Sequence, residues 1–163
     1  SRSTTTKKDM FVRLARQDEC KVVKDLNHKL IVHDNQFFND LNLQWPYEKE
    51  GEEYFKDKIN SSKGVCFVAE VDGQVVGYLA GRFFDAGGAY LARHAELDNM
   101  FVEEEHRCTG VGSALVKEFA KWCKDNGLEK IFVNAFSPNT RAIDFYNKSG
   151  FQEYSTTLYQ DIK

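Results

Sequence analysis

The chain has 163 residues, of which 42% are hydrophobic and 13% aromatic, with a formal net charge of −3 and a pI near 5.8. This length suits one domain with a buried core, and the apolar content excludes a chain that is disordered throughout. The acidic balance argues against a basic nucleic-acid footprint, and no apolar run approaches the roughly 18 residues of a membrane-spanning helix.

The polar start of the chain and its cysteines carry further expectations. Residues 1–9 contain no apolar core like that of a signal peptide, so we expect a flexible tail there. We expect residues 10–163 to form a single domain in the cytoplasm. The cysteines form no CxxC pair and have no spacing typical of zinc ligands, which predicts reduced thiols and no metal site. They are Cys20, Cys66, Cys108 and Cys123.

The first third of the chain predicts one strand and two helices. Residues 10–15 have the composition of a short strand, and Asp18 is a candidate cap for the helix that follows. Apolar residues recur at helical spacing as far as Ile31. Residues 34–46 indicate a loop or a broken helix, and we expect a second helix over residues 47–59.

Three strands are expected next, in an antiparallel meander. Residues 65–71 and 75–84 flank an Asp-Gly dipeptide at 72–73, which is typical of a hairpin turn because both residues tolerate positive φ. A Gly-Gly pair at 87–88 predicts a second turn. It leads into a long strand expected over residues 89–102.

The remainder of the chain alternates helix and strand. A helical period begins near Val111 and ends at Gly127, and residues 130–135 resemble a strand buried on both faces. A further helix, capped by Ser137 or Asn139, precedes a final strand expected over residues 152–159. The predicted order is β-α-α-β-β-β-α-β-α-β, an α/β fold with a mixed, mostly antiparallel sheet flanked by helices.

A glycine-containing segment lies between the predicted third strand of the meander and the helix that follows it. Its sequence is Arg107-Cys108-Thr109-Gly110-Val111-Gly112. The first N–H groups of a helix have no intrahelical partner and lie at the positive end of the helix dipole. Gly110 and Gly112 lack the Cβ that would keep a phosphate from the backbone, and Arg107 adds positive charge.

Two other phosphate-binding loops are excluded by residue type. A Walker A loop needs Gly-Lys-Ser/Thr, which the sequence lacks, and a dinucleotide fingerprint needs a third glycine where Leu115 stands. The segment therefore predicts a pyrophosphate held by loop amides. A plain tight turn would use the same two glycines.

Two motifs resemble those of the GCN5-related N-acetyltransferase (GNAT) family. The first is Arg-x-x-Gly-x-Gly at residues 107–112, after a strand that ends in Phe101-Val102. The second is Asn139-x-x-Ala142-x-x-Phe145-Tyr146-x-x-x-Gly150-Phe151. The predicted order of elements also matches the fold of that family from Met10 onward.

The resemblance implies an N-acetyltransferase that uses acetyl-CoA as co-substrate. It implies that the loop amides bind the pyrophosphate and that backbone groups of the preceding strand pair with the pantetheine arm. Asn139 would hydrogen-bond near that arm, although a helix cap would explain this residue equally well. The cofactor-binding residues expected on this basis are Met100, Phe101, Val102, Arg107, Cys108, Thr109, Gly110, Val111, Gly112, Ser113 and Asn139.

The resemblance also implies catalytic roles. Tyr146 stands where the family places a tyrosine near the sulfur, and a phenol is protonated at neutral pH and can donate to a leaving thiolate. The N–H of Met100 is the expected oxyanion donor. Glu96 is the expected base, directly or through a water, and Asp98 shares its strand face unless a bulge intervenes. The non-catalytic alternatives are a packed aromatic for Tyr146 and a solvated strand face for Glu96.

The acceptor is expected to be a cationic primary amine of a small molecule or a peptide. Between residues 31 and 60, acidic residues outnumber lysines and aromatic residues interleave with them, as suits a cation. A solvated helix face would have the same composition. A CoA-binding sensory module without turnover is the alternative function. We expect no nucleic-acid or membrane partner, and a homodimer remains open.

Overall fold

The computed structural model describes residues 9–163, so the predicted tail lies, apart from Asp9, outside the described residues. Within them the chain forms one sheet and four α-helices. The strands are β1 (Met10–Leu14), β2 (Gly64–Val71), β3 (Gln74–Phe84), β4 (His94–Val102) and β5 (Lys130–Val133). The helices are α1 (Cys20–Asp34), α2 (Lys49–Asn60), α3 (Val111–Asp125) and α4 (Thr140–Lys148).

The sheet has the order β1-β2-β3-β4-β5, so each strand lies beside its neighbours in the sequence. The first four strands are antiparallel and β5 runs parallel to β4. This arrangement confirms the predicted mixed, mostly antiparallel sheet flanked by helices. None of the helices in the described part combines the length and apolarity that crossing a bilayer requires.

The core consists of two apolar layers, one on each face of the sheet. Alternation along β3 divides them: Tyr78 packs beneath α1 and α2, whereas Leu79 packs against α3. Phe55 of α2 and Phe119 of α3 are fully buried in their respective layers. Burial of each such side chain contributes about 1.5–3 kcal/mol to stability. The two layers therefore hold α1 and α2 against one face of the sheet and α3 and α4 against the other.

Two predicted boundaries are wrong for local reasons. Strand β4 begins at His94 and not at residue 89, because Gly87 and Tyr90 exchange backbone hydrogen bonds of 3.0 and 3.1 Å and turn the chain there. Asp18 does not cap α1. It lies in a short 3-10 turn (Gln17–Glu19), in which the Glu19 carboxylate accepts from the Arg16 amide at 2.8 Å.

The predicted final strand is also wrong, because residues 151–163 form no helix or strand. Strand β5 is therefore an edge strand and partly exposed, and it is not buried on both faces as its composition predicts. Aromatic contacts hold the C-terminal segment in place of backbone pairing. Tyr154 lies 5.0 Å from Phe132 and Tyr159 lies 5.3 Å from Phe38, measured between ring centres.

Strand β4 carries one extra residue relative to β3. Leu97 pairs with Gly81 and Asn99 pairs with Ala80, so Asp98 between them has no partner and forms a β-bulge. A Cβ on Gly81 would lie 2.6 Å from the ring of Phe119 and 2.8 Å from the carbonyl oxygen of Glu96. Glycine is therefore required where β3, α3 and the bulge meet.

Gly81→Ala is expected to lower the free energy of unfolding by about 1–3 kcal/mol, the usual cost of overpacking a core. Denaturant unfolding measures this loss. In a Phe119→Leu background the cost should be smaller, because the ring atoms that the new methyl group meets are gone. Equal costs in both backgrounds would assign the constraint to the carbonyl of Glu96, and an unchanged unfolding free energy would contradict the packing account.

Candidate active site

Strands β4 and β5 are paired over four residues and then separate. Their last pair is Leu97 with Val133, and from residue 98 to residue 102 β4 pairs only with β3 within the described chain. The edge of β4 that faces away from β3 is therefore open to an extended ligand. Met100 and Val102 are partly buried against the α3 layer, and Phe101 is buried against the other layer.

The loop between β4 and α3 exposes a row of backbone N–H groups. Cys108 and Gly110 have left-handed backbones, with φ of 59° and 90°, and Gly110 precedes the first residue of α3. Within the described chain the N–H groups of residues 108–113 donate no hydrogen bond, and the first bond of the helix runs from the Ala114 amide to the Gly110 oxygen at 3.0 Å. A Cβ at Gly110 would meet nothing within 4 Å, so the space beside the loop is open.

The positive charge beside this loop comes from a residue that was not predicted from the sequence. The side chain of Arg107 turns back to β4, where its Nε donates to the Val102 oxygen at 3.0 Å and its guanidinium lies 5.2 Å from the centre of the Phe101 ring. Arg141 of α4 instead reaches the loop, with Nη2 3.6 Å from Cys108 Sγ. Arg141 lies in the second motif, two residues after Asn139, and this position is the sequence feature from which its proximity to the loop could have been predicted.

Helix α4 packs against the start of α3. A Cβ on Gly112 would lie 3.3 Å from the ring of Phe145, so this glycine allows the close approach. Asn139 caps α4, because its Oδ1 accepts from the Ala142 amide at 3.2 Å. The predicted cap is thereby confirmed, and the Asn139 Nδ2 makes no hydrogen bond within the described residues.

Tyr146 lies on the inner side of α4, partly exposed. Its ring lies 5.2 Å from Phe145 and 5.5 Å from Phe151. Burial raises the pKa of Tyr146, and the Asp34 carboxylate raises it further. The phenol is therefore protonated at neutral pH, and in the described part of the chain its hydroxyl has no hydrogen-bond partner.

A cavity of about 300 Å³ opens where β4 and β5 separate. The predicted base Glu96 and its alternative Asp98 both face it. Asp98 and Asn99 line it together, although neighbours in a regular strand point to opposite faces; the bulge makes this possible. The full lining is Trp45, Tyr54, Arg82, Glu96, Leu97, Asp98, Asn99, Phe132 and Asn134.

A chain of side-chain hydrogen bonds leads from α1 to this cavity. Asn27 Nδ2 donates to the Tyr78 hydroxyl at 2.8 Å, and Tyr78 donates to Asn99 Oδ1 at 2.6 Å. Asn99 Nδ2 donates to the Tyr54 hydroxyl at 2.9 Å, and Tyr54 donates to Asp98 Oδ2 at 2.7 Å. Each side chain donates to the next one toward the cavity, so the last hydrogen bond ends on the Asp98 carboxylate. Burial raises the pKa of Asp98, and the bond from Tyr54 offsets part of that rise.

Arg82 joins the two carboxylates across the cavity. Its Nη2 lies 3.3 Å from Glu96 Oε2 and its Nε lies 3.4 Å from Asp98 Oδ1. The Glu96 side chain is 37% exposed and that of Asp98 only 10%. Arg82 was not predicted from the sequence, because its position opposite Glu96 depends on the register between β3 and β4.

The predicted acidic surface of the helices contributes little to the cavity. Glu52 contacts Lys56 at 2.7 Å, and Asp57 contacts Lys58 at 2.9 Å. Of the aromatic residues predicted for the acceptor, Trp45 and Tyr54 line the cavity, whereas Phe55 is in the core. The carboxylates that face the cavity come from β4.

Comparisons with known proteins agree with this geometry. Residues 34–151 match the profile of the Acetyltransferase (GNAT) family. The uncharacterized N-acetyltransferase YobR of Bacillus subtilis is 36% identical over 64 residues, which cover 39% of this chain and 26% of that protein. The N-alpha-acetyltransferase of Sulfurisphaera tokodaii is 31% identical over 107 residues, which cover 61% of this chain and 64% of that protein. The chain thus spans less than two thirds of the length of either relative.

A solved structure has the same fold. The aminoglycoside N-acetyltransferase AAC(6')-Iy in complex with CoA matches with a TM-score of 0.74 and 15% identity, covering 98% of each chain. At this identity the match establishes the fold.

Tyr54→Phe is expected to raise the pKa of Asp98 further, because the carboxylate loses a hydrogen bond to its charged form. It also leaves Asn99 Nδ2 without its partner, which should cost about 1–3 kcal/mol of stability. Carboxyl-detected NMR titration follows Asp98, and denaturant unfolding follows stability. Since the folded state then holds the Asp98 proton to higher pH than the unfolded state does, stability should fall more steeply as pH rises through the acid range.

Tyr47→Phe is the matched control for this experiment. The Tyr47 hydroxyl donates to Asp25 at 2.8 Å on the exposed surface, in an equivalent Tyr–Asp pair away from the cavity. It should leave the titration of Asp98 unchanged. Identical Asp98 titration in Tyr54→Phe and the unmodified protein would contradict the proposed coupling.

Proposed function

Because the chain belongs to the GNAT family of acetyltransferases, we propose that it transfers an acetyl group from acetyl-CoA to a primary amine of a small molecule or peptide, by direct attack in a ternary complex. One observation carries the proposal. Three features follow one another along one stretch of chain: the carboxylate-lined cavity, the open edge of β4, and the loop amides that have no partner among residues 9–163. A donor held along that stretch would present its acyl group to an amine in the cavity.

The residues beside the loop fit a pyrophosphate. The amides of residues 108–113 and the start of α3 supply donors and the positive end of a helix dipole, and Arg141 adds charge. We propose that backbone groups of Met100 and Val102 pair with the pantetheine arm and that the Asn139 amide lies beside it. The CoA complex of a protein with the same fold supports this placement.

The proposed chemistry divides three tasks among three groups. Glu96 takes a proton from the amine, directly or through a water, so that the nitrogen can attack. The N–H of Met100 stabilises the carbonyl oxygen as it gains negative charge. Tyr146 gives its proton to the departing thiolate: its raised pKa keeps the phenol protonated at neutral pH, and its hydroxyl has no partner among the described residues.

Asp98 is the alternative base, and its environment supports that role. Its side chain is 10% exposed, its pKa is raised by burial, and its carboxylate accepts from the Tyr54 hydroxyl at 2.7 Å. The Glu96 side chain is 37% exposed and is therefore less constrained than that of Asp98.

The four cysteines are free thiols, which supports action in a reducing compartment such as the cytoplasm.

Calorimetric titration with acetyl-CoA, beside ATP and NAD, is the direct test of donor binding. We expect selective binding of acetyl-CoA. Gly110→Val should abolish it, because a β-branched residue is strained at φ of 90° and its side chain would stand over the loop amides. Gly73→Val, at a hairpin turn with φ of 81°, is the matched control and should bind normally. Preference for ATP or NAD would overturn the donor assignment.

Tyr146→Phe is expected to lower turnover at least tenfold while acetyl-CoA affinity stays within twofold, since only the proton to the thiolate is lost. Glu96→Gln should likewise lower turnover with little change in donor affinity. Release of free thiol measures turnover, and Tyr159→Phe, at an exposed tyrosine, is the control. A fully active Tyr146→Phe protein would refute the acid assignment. Binding without thiol release from any amine would favour the sensory module.

A further inference from the structure

The cavity where β4 and β5 separate has charges of both signs on its walls. Glu96 and Asp98 supply two carboxylates, and Arg82 supplies one guanidinium. Hydrophobic and aromatic surface from Trp45, Leu97 and Phe132 lies between them. A polyamine or an aminoglycoside, with positive charge alone, would meet Arg82 as a like charge.

The acid and the cation that line the cavity differ in exposure. Asp98 lies beside the point of strand separation, its side chain is 10% exposed, and Tyr54 holds it at 2.7 Å. Arg82 lies opposite Glu96, and its side chain is 45% exposed. Its guanidinium lies 5.2 Å from the centre of the Phe84 ring, which supports the arginine from one side. The cavity therefore combines a fixed acid with an accessible cation.

Arg82 is incompletely used by its neighbours. Its contacts of 3.3 and 3.4 Å with Glu96 and Asp98 each involve one nitrogen. Charge-assisted N–H···O bonds are normally about 2.7–2.9 Å long, and a guanidinium offers five N–H donors in a fork that suits a carboxylate. Arg82 thus retains the donors needed for a bidentate bond to a further carboxylate.

The volume of the cavity limits what can occupy it. About 300 Å³ is at the lower end of the range for ligand sites. That volume holds a molecule of amino-acid size with its side chain against the aromatic wall. A large polycation would have to extend beyond the described walls.

We infer that the acceptor is a small zwitterion, an amino acid whose free carboxylate binds the free donors of Arg82 and whose amine binds the neighbouring Asp98 carboxylate. This inference rests on the proposed function, because it names the acceptor class for the same site. Arg82 sets specificity and takes no part in the acyl transfer. The cavity then matches each charge of the acceptor with the opposite charge.

The test uses pairs of amines that differ only in the carboxylate. Thiol release from acetyl-CoA is measured with free amino acids and with their carboxamides, alongside spermidine and an aminoglycoside. The unmodified protein should prefer the amino acid by at least tenfold in kcat/KM. Arg82→Ala should lower kcat/KM for the amino acid by at least tenfold and leave that for the carboxamide within twofold.

Two further variants separate a binding role from a structural one. Arg82→Lys keeps the charge but loses the fork, and it should restore part of the preference. Arg16→Ala, at an arginine whose side chain is 61% exposed, is the control and should retain the full preference. An equal loss for amino acid and carboxamide in Arg82→Ala would overturn the inference.

The two proposals fail in different ways. Thiol release that favours carboxamides, spermidine or the aminoglycoside over amino acids would overturn the inference and keep the acyltransferase. Absence of acetyl-CoA binding would refute the proposed function itself. Calorimetric binding of amino acids in the presence of CoA tests the acceptor class independently of turnover, and no binding by any amino acid would overturn the inference.

Discussion

The separation of β4 from β5 is the constraint on which the rest of the site depends. As far as Leu97 the strand β4 has a neighbour on both sides, and beyond Leu97 only β3 remains beside it in the part of the chain that the structure describes. A buried strand edge without a partner is costly, because each unpaired backbone group loses its hydrogen bond. This open edge lies between the loop amides at one end and the cavity at the other. The same break in pairing therefore creates both the space for an extended donor and the entrance for an acceptor.

The bulge at Asp98 and the hydrogen-bonded chain behind it hold that region in shape. Without the extra residue, Asp98 and Asn99 would point to opposite faces of the sheet. With it, both side chains join a continuous chain of donors that begins at Asn27. Tyr78 is fully buried and Tyr54 partly so, and each hydroxyl both donates and accepts. The four bonds restrict the side chains from Tyr78 to Asp98, whereas the buried Oδ1 of Asn27 at the start of the chain has no partner among the described residues.

Features that depend on local chemistry could be predicted from the sequence, whereas those that depend on register could not. The Asp-Gly turn, the glycines that end α3 and α4, and the loop before α3 each require particular residues at consecutive positions. The bulge and the position of Arg82 opposite Glu96 depend on how two strands align, and residue types at consecutive positions do not specify that alignment. The final strand was predicted from composition alone, but its segment is held by contacts with Phe38 and Phe132. Of the residues predicted for catalysis, Glu96 lines the cavity and Tyr146 does not, and Arg82, which supplies the cavity's positive charge, was not predicted.

The balance of charge in the cavity bears directly on the proposed chemistry. Glu96, Asp98 and Arg82 leave one net negative charge facing the acceptor. That charge favours entry of an ammonium group, because opposite charges attract. The free donors of Arg82 would in turn bind the acceptor's carboxylate, so that each charge of the acceptor meets the opposite charge. Arg82 would thus select and orient the acceptor, whereas removal of the proton is assigned to Glu96 or Asp98.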